Sequence, residues 1–259
     1  MIEKIKEKIE GKRDVYLSII AKSHECDLTR AEQILDSELE MYVVRLFNAL
    51  EKDKGSQITV AKGVNIFIEC MQSGLSISES SGHVYITRLK GSGTSLAMQV
   101  TIDGDIYLAQ KAGAIHHLTE PVIVRNGDDF KIVNTPDGRQ IAIGEISFDE
   151  QKKFILSDMK VGYVYIVYPN GDRELSWINR ARLEEYQKKS QTPGMYNDES
   201  FIQTKILKHA LRKVSKTAIM RTKTNESYEV MAQNREIEND YPEVVTEPEP
   251  IETNNSEPF

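Results

Sequence analysis

Residues 201–223 hold seven basic side chains and no acidic one: Lys205, Lys208, Arg212, Lys213, Lys216, Arg221 and Lys223. Lys205, Lys208, Arg212 and Lys216 are spaced three, four and four apart, so a helix would carry them as one stripe. Ile202, Ile206, Leu207, Leu211 and Val214 form the opposite, apolar stripe. Exposed helices ordinarily mix both signs, because opposite charges one turn apart attract and like charges repel. A stripe of one sign tolerates its own repulsion, and the chemistry it suits is binding an anionic partner such as a phosphate backbone. Arg88 and Lys90, beside the glycine-rich "KGSGTS", add a second basic element, read as a finger that touches an anionic polymer.

Other chemistries find less support. "GSGTS" has no lysine after its second glycine, so it is not a phosphate loop of the GxxxxGK[ST] kind and reads as a hairpin tip. His116 and His117 are adjacent, and on a strand adjacent side chains point to opposite faces, a poor joint metal site. "RNGDDF" and "YPNGDRE" lack the spacing of a calcium loop and read as turns. No Ser-His-Asp or Cys-His arrangement follows from spacing. Trp177, the single tryptophan, is expected in a core. The reading is of a binding protein, not an enzyme, with no cofactor and no metal.

These side chains need a scaffold. "LTRAEQILDSELEMYVVRLFNALEK" places Ala31, Ile34, Leu35, Leu39, Tyr42, Val43, Leu46 and Leu50 on one helical face, with Thr29 and Glu32 as a capping box. "TVAKGVNIFIECMQSG" predicts a second helix stopped by Gly74. "HVYITRL" and "SLAMQVTI" read as strands around the "KGSGTS" tip, and "DGDIYLAQKAG" as a helix capped by Gly113. "PVIVRNGDDFKIV" and "RQIAIGEISF" read as strands divided by "NTPDG". "VGYVYIVYPNGDRELSWIN" is a hairpin turning at Asn170-Gly171. "RARLEEYQKKS" is a short helix, "QTPGMYND" a loop, and the basic segment the last helix. The order predicts an α+β fold: N-terminal helices, a central and mostly antiparallel sheet with a β-hairpin finger, then the C-terminal basic helix. The expected division is 1–54 helical, 55–223 core and 224–259 tail.

Charge is unevenly spread. Residues 224–259 carry ten acidic groups and one basic, a net −9, so the rest holds +2 of the total −7. Half of the eight prolines lie there too, and the segment is expected to be a disordered acidic tail. Cys26 and Cys70 have no CxxC partner and read as free thiols of a cytoplasmic protein. The charged start has no apolar signal core, and no run of about 18 apolar residues spans a membrane.

Several stretches together resemble one family. Gln72-Ser73-Gly74-Leu75, Gly82-His83-Val84-Tyr85, Gln99, the run Leu108-Ala109-Gln110-Lys111-Ala112-Gly113, and Asp129-Phe130 follow the order and spacing of RecT/Redβ-type phage single-strand annealing proteins. The β-hairpin, the helix ending near Ser190 and the final basic helix continue the likeness, which covers roughly residues 59–216. Asp103 and Gln110 stand where that family has arginines, while Lys111 keeps a basic position. The resemblance implies single-stranded DNA binding and ATP-independent annealing of complementary strands in homologous recombination, through an annealed duplex intermediate. It also implies rings or helical filaments of this chain, a bacterial host cytoplasm with a phage or prophage origin, and a phage exonuclease and host single-stranded-DNA-binding or repair proteins as partners. The DNA-binding residues it and the charge pattern select are Arg88, Lys90, Lys111, Lys205, Lys208, Arg212, Lys213 and Lys216. The alternative reading is a non-enzymatic adaptor whose basic helix binds an acidic protein.

Overall fold

The computed structural model describes residues 1–52, 55–88, 95–136, 138–146, 153–190 and 192–221, with side chains as far as Val214 in the last helix. The finger tip with Lys90, the side chain of Lys216 and the acidic stretch from residue 224 lie outside the described residues.

Four helices open the chain: α1 (Ile2–Glu10), α2 (Arg13–Ser23), α3 (Leu28–Lys52) and α4 (Val60–Ser73). The apolar stripe of α3 is buried at Ala31, Leu35, Leu39, Tyr42 and Leu46. Its cap is not the Thr29–Glu32 box. Asp27 Oδ1 accepts from Arg30 N at 2.7 Å, so the helix begins two residues earlier. The Asp27 carboxylate, just ahead of the first turn, satisfies an orphan amide of the kind that Thr29 was expected to serve. Thr59 caps α4 by accepting from Lys62 N, and Gly74 closes it in the left-handed region. Tyr42 Oη donates to Gly63 O at 2.6 Å, and Phe67 packs against Tyr16 and Tyr42 at ring distances of 6.0 and 5.4 Å. Each such buried side chain contributes about 1.5–3 kcal/mol.

The finger is an antiparallel pair, β1 (Val84–Arg88) with β2 (Leu96–Val100), in register from Val84↔Val100 to Arg88↔Leu96. Val84, Leu96 and Val100 join the core of α1 to α4, so the finger is rooted in the helical layer. α5 (Ile102–Lys111) follows, capped by Thr101.

Beside the finger, the expected central sheet is two. β3 (His117–Leu118), β4 (Val122–Arg125), β7 (Met159–Val167) and β8 (Arg173–Asn179) form one sheet with β7 central. β5 (Asp129–Asn134) and β6 (Gln140–Glu145) form a separate ribbon. The predicted strand "PVIVRNGDDFKIV" is broken because Asp128 Oδ2 accepts from Arg125 N at 2.6 Å while Asp128 N donates to Arg125 O at 3.1 Å. That side-chain turn bends the chain between β4 and β5. The β7–β8 hairpin turns at Asn170-Gly171 as expected.

α6 (Arg180–Lys189) and α7 (Glu199–Arg221) complete the fold. α7 crosses the sheet at Gly162, where any Cβ would collide with Ile206. Ile202, Ile206, Ala210, Leu211 and Val214 share a second core with Val164, Ile166 and Ala109, so α7 is held between the sheet and α5. A third, small core of Val124, Phe130 and Val161 lies between the sheet and the ribbon. Among the described residues no helix is long and apolar enough to cross a membrane.

Candidate nucleic-acid interface

α7 starts where Asp198 Oδ1 accepts from Phe201 N at 2.9 Å. From Ser200 onward the helix has no carboxylate, so no acidic group of its own offsets its cations. The buried side includes Ala210, and Leu207 is only half-buried, so the inward stripe is displaced slightly from the expected one. The reason is the double packing: α7 meets the sheet on one side and α5 on another. Lys205 lies over two rings, its Nζ 4.6 Å from the centre of Phe201 and 5.6 Å from that of Tyr196. Its charge rests on aromatic faces. Lys208 and Lys213 are half-buried, and Arg212 is exposed. Lys216 lies on the same helix, one turn beyond Arg212.

α6 brings further cations to α7. Arg182 pairs with Glu185 at 3.0 Å and stacks over Tyr186 at 5.1 Å. His209 of α7 lies within reach of these charges. Burial, then the positive fields of Lys213, Arg212 and Arg182, hold its pKa below the ordinary histidine value, against a hydrogen bond to the Trp177 backbone that works the other way. Of these cations, Arg182 is offset by Glu185, which leaves Arg212 and Lys213 of α7 as the charges nearest the imidazole in sequence.

On the finger side, Arg88 ends β1 opposite Leu96 and is exposed. The finger's root is joined to α5. His83 stacks on Tyr107 at 4.5 Å and 27°, and Thr101 N donates to His83 O at 2.9 Å. Glu38 of α3 supports the same region, its two oxygens accepting from Ser76 Oγ and Ile77 N, each at 2.6 Å.

A model of the RecT family matches residues 43–245, most of the chain. The chain belongs to the RecT family. It is therefore a single-strand annealing protein of DNA recombination, of the phage recombinase kind. A search of curated proteins returned no match.

Four of the five RecT-type stretches recognised in the sequence come together around the finger and α5, while Asp129-Phe130 lies apart in β5 and the third core. Gly74, at φ 74, sits against the Lys111 ammonium, and a Cβ there would collide with it. Lys111 donates to Ser23 O and, at 3.3 Å, to Ser73 O, the last carbonyls of α2 and α4. It thus ties α5 to two helix C-termini, where positive charge is favoured. Burial lowers its pKa, partly countered by Glu25. Lys111→Met is expected to lower stability by about 1–3 kcal/mol, since two carbonyls lose a charged donor. Urea unfolding measures this, and a loss of strand affinity with unchanged stability would contradict the clamp.

His116 and His117 do not diverge as expected. His116 precedes β3, and the two rings touch edge to face at 5.0 Å. Among the described residues no group of three or more His, Cys, Asp or Glu could hold a metal ion. Trp177 packs against the small third core, its Nε1 donating to Gln140 Oε1 at 3.1 Å. Arg182 was not selected from sequence, because "RARLEEYQKKS" mixes both signs and only the fold brings it to α7.

Three histidines carry a pH dependence. The pKa values of His24, His83 and His209 are all lowered, chiefly by burial. Below the ordinary value of 6.5 the unfolded chain binds protons that the folded one refuses, so stability falls as pH drops through that value. Heating curves at about pH 7 and pH 5 test this, and the expected result is a lower melting temperature at the acid pH. An equal or higher melting temperature there would contradict it.

Proposed function

We propose that this chain binds single-stranded DNA along the cationic side of α6 and α7, with the finger as a second contact, and anneals complementary strands without ATP. The observation that carries this reading is α7 itself, which packs its apolar side on the sheet and α5, carries Lys205, Lys208, Arg212 and Lys213, and has no carboxylate of its own after Glu199. Arg212, Lys208 and Lys216 supply phosphate contacts, Lys205 and Lys213 border them, and Arg88 and Lys90 serve the finger. Each phosphate neutralised releases condensed counterions, so binding is driven largely by their entropy. Such contacts hold the backbone and carry no sequence information, which leaves base edges available to a complementary strand. Nothing in this scheme breaks or makes a covalent bond. The sequence has no GxxxxGK[ST] phosphate loop, in keeping with annealing that needs no nucleotide. Family membership supports a working form of several copies of the chain.

Fluorescence anisotropy of a labelled single strand, measured across a salt series, tests the binding step. The expected result is a steep fall of affinity with salt and similar affinities for unrelated sequences. Binding that ignores salt, or depends strongly on sequence, would overturn the phosphate-contact scheme.

A further inference from the structure

A cleft of about 670 Å³ opens where the β7–β8 turn, the start of β6, the segment after α5 and α7 come together. That volume lies within the range of roughly 300–1,000 Å³ common for small-ligand sites. Leu175 and Val214 line it and are almost wholly buried, and Tyr168 and Pro169 contribute apolar surface from the turn. Three cations from three elements also line it: Arg139 beside β6, Arg173 at the start of β8 and Lys213 of α7. Two carboxylates lie among them. Asp172 pairs with Arg139 at 3.5 Å and accepts from Asn170 Nδ2 at 2.8 Å, while Glu174 accepts from Tyr168 Oη at 2.6 Å.

From this lining we infer that the cleft takes one unstacked nucleotide of the bound strand, whichever base it carries. The inference rests on the strand-binding reading above, with which the cleft shares Lys213. A nucleotide offers a flat face to Tyr168 and Pro169 and a phosphate to Arg173, while Lys213 lines the cleft from the side of α7. An acidic peptide fits less well, because its carboxylates would meet those of Asp172 and Glu174. Removing one base from the stack also interrupts the bound strand's own helix at a fixed place in each copy.

The test uses the full chain and a single-stranded oligonucleotide containing 5-iododeoxycytidine. Strand capture is followed by anisotropy, and photo-adducts are mapped by peptide mass spectrometry at saturating DNA. The expected adduct is on Tyr168, and Arg173→Glu lowers its yield per bound strand by about ten-fold, the size of one charge-assisted contact. Tyr168→Leu removes the adduct while the strand is still captured. Adducts confined to other segments while the strand is bound overturn the cleft assignment and leave the strand-binding reading standing. So does a Tyr168 adduct that is indifferent to Arg173→Glu. Displacement of the probe from Tyr168 by a peptide of residues 224–259 at lower concentration than by unlabelled oligodeoxycytidine gives the cleft to the acidic segment instead. Failure of the chain to capture any strand removes both readings.

Discussion

Reversing two charges on α7, Lys208→Glu together with Arg212→Glu, is expected to weaken single-strand binding by about 100-fold at low salt, equally for unrelated sequences. Each reversal removes a phosphate contact and places a repelling carboxylate in its position. The salt slope should become shallower by about 1.4, two contacts at roughly 0.7 each for single strands. Neither residue belongs to the fully buried set of α7, so the melting temperature should change little. Equal affinity of the double variant and the parent chain would remove α7 from the interface. A uniform loss accompanied by a large fall in melting temperature would instead indicate a packing role for Lys208, which is half-buried.

A second large effect is expected far from those charges. Glu38 is only 9% exposed, and its carboxylate accepts from Ser76 Oγ and Ile77 N. Glu38→Ala leaves both donors without their acceptor in a buried place, and opens a void in the helical layer. Hydrogen bonds to a charged group contribute about 1.5–3 kcal/mol each and are not additive, so a loss of about 3–4 kcal/mol is expected. Glu38→Gln keeps one acceptor oxygen and should lose less than half of that. Urea unfolding of the three proteins at neutral pH measures the difference. Ser76 and Ile77 lead into the finger through His83, so annealing by Glu38→Ala should fail at lower temperature than in the parent chain. A loss below about 1 kcal/mol would mean that water replaces the carboxylate at little cost.

The helices were legible because their signals are local. The α3 stripe and the Gly74 stop of α4 each depend on residues within a few positions of one another. The turn at Asn170-Gly171 is local in the same sense. The turn at Asp128 was legible in "RNGDDF", although the longer stretch "PVIVRNGDDFKIV" also reads as one strand, because an Asp that accepts from the backbone three residues earlier looks, in sequence, like any polar residue in a strand. The division of the central sheet into a sheet and a separate ribbon was missed because strand partnership depends on tertiary placement, which alternation does not encode. For the interface, the acid-free run of α7 was visible as composition, whereas the influence of Arg182 on His209 depends on tertiary placement. Lys111 shows the opposite case. Its position fitted a family pattern of basic residues, and the fold engages its ammonium with the carbonyls of Ser23 and Ser73.

The central claim is that the protein holds a strand by its phosphates and leaves the bases free to pair, with no energy source. The most direct measurement mixes two complementary oligonucleotides, one carrying a donor dye and the other an acceptor, with the purified full chain in buffer free of ATP. Energy transfer is followed in time beside a protein-free control and the Lys208→Glu, Arg212→Glu double variant. The predicted result is annealing much faster than the control without nucleotide, unchanged when ATP is added, and slowed toward the control by the double variant. Annealing no faster than the control until ATP is supplied, or equally fast with the double variant, would contradict the account.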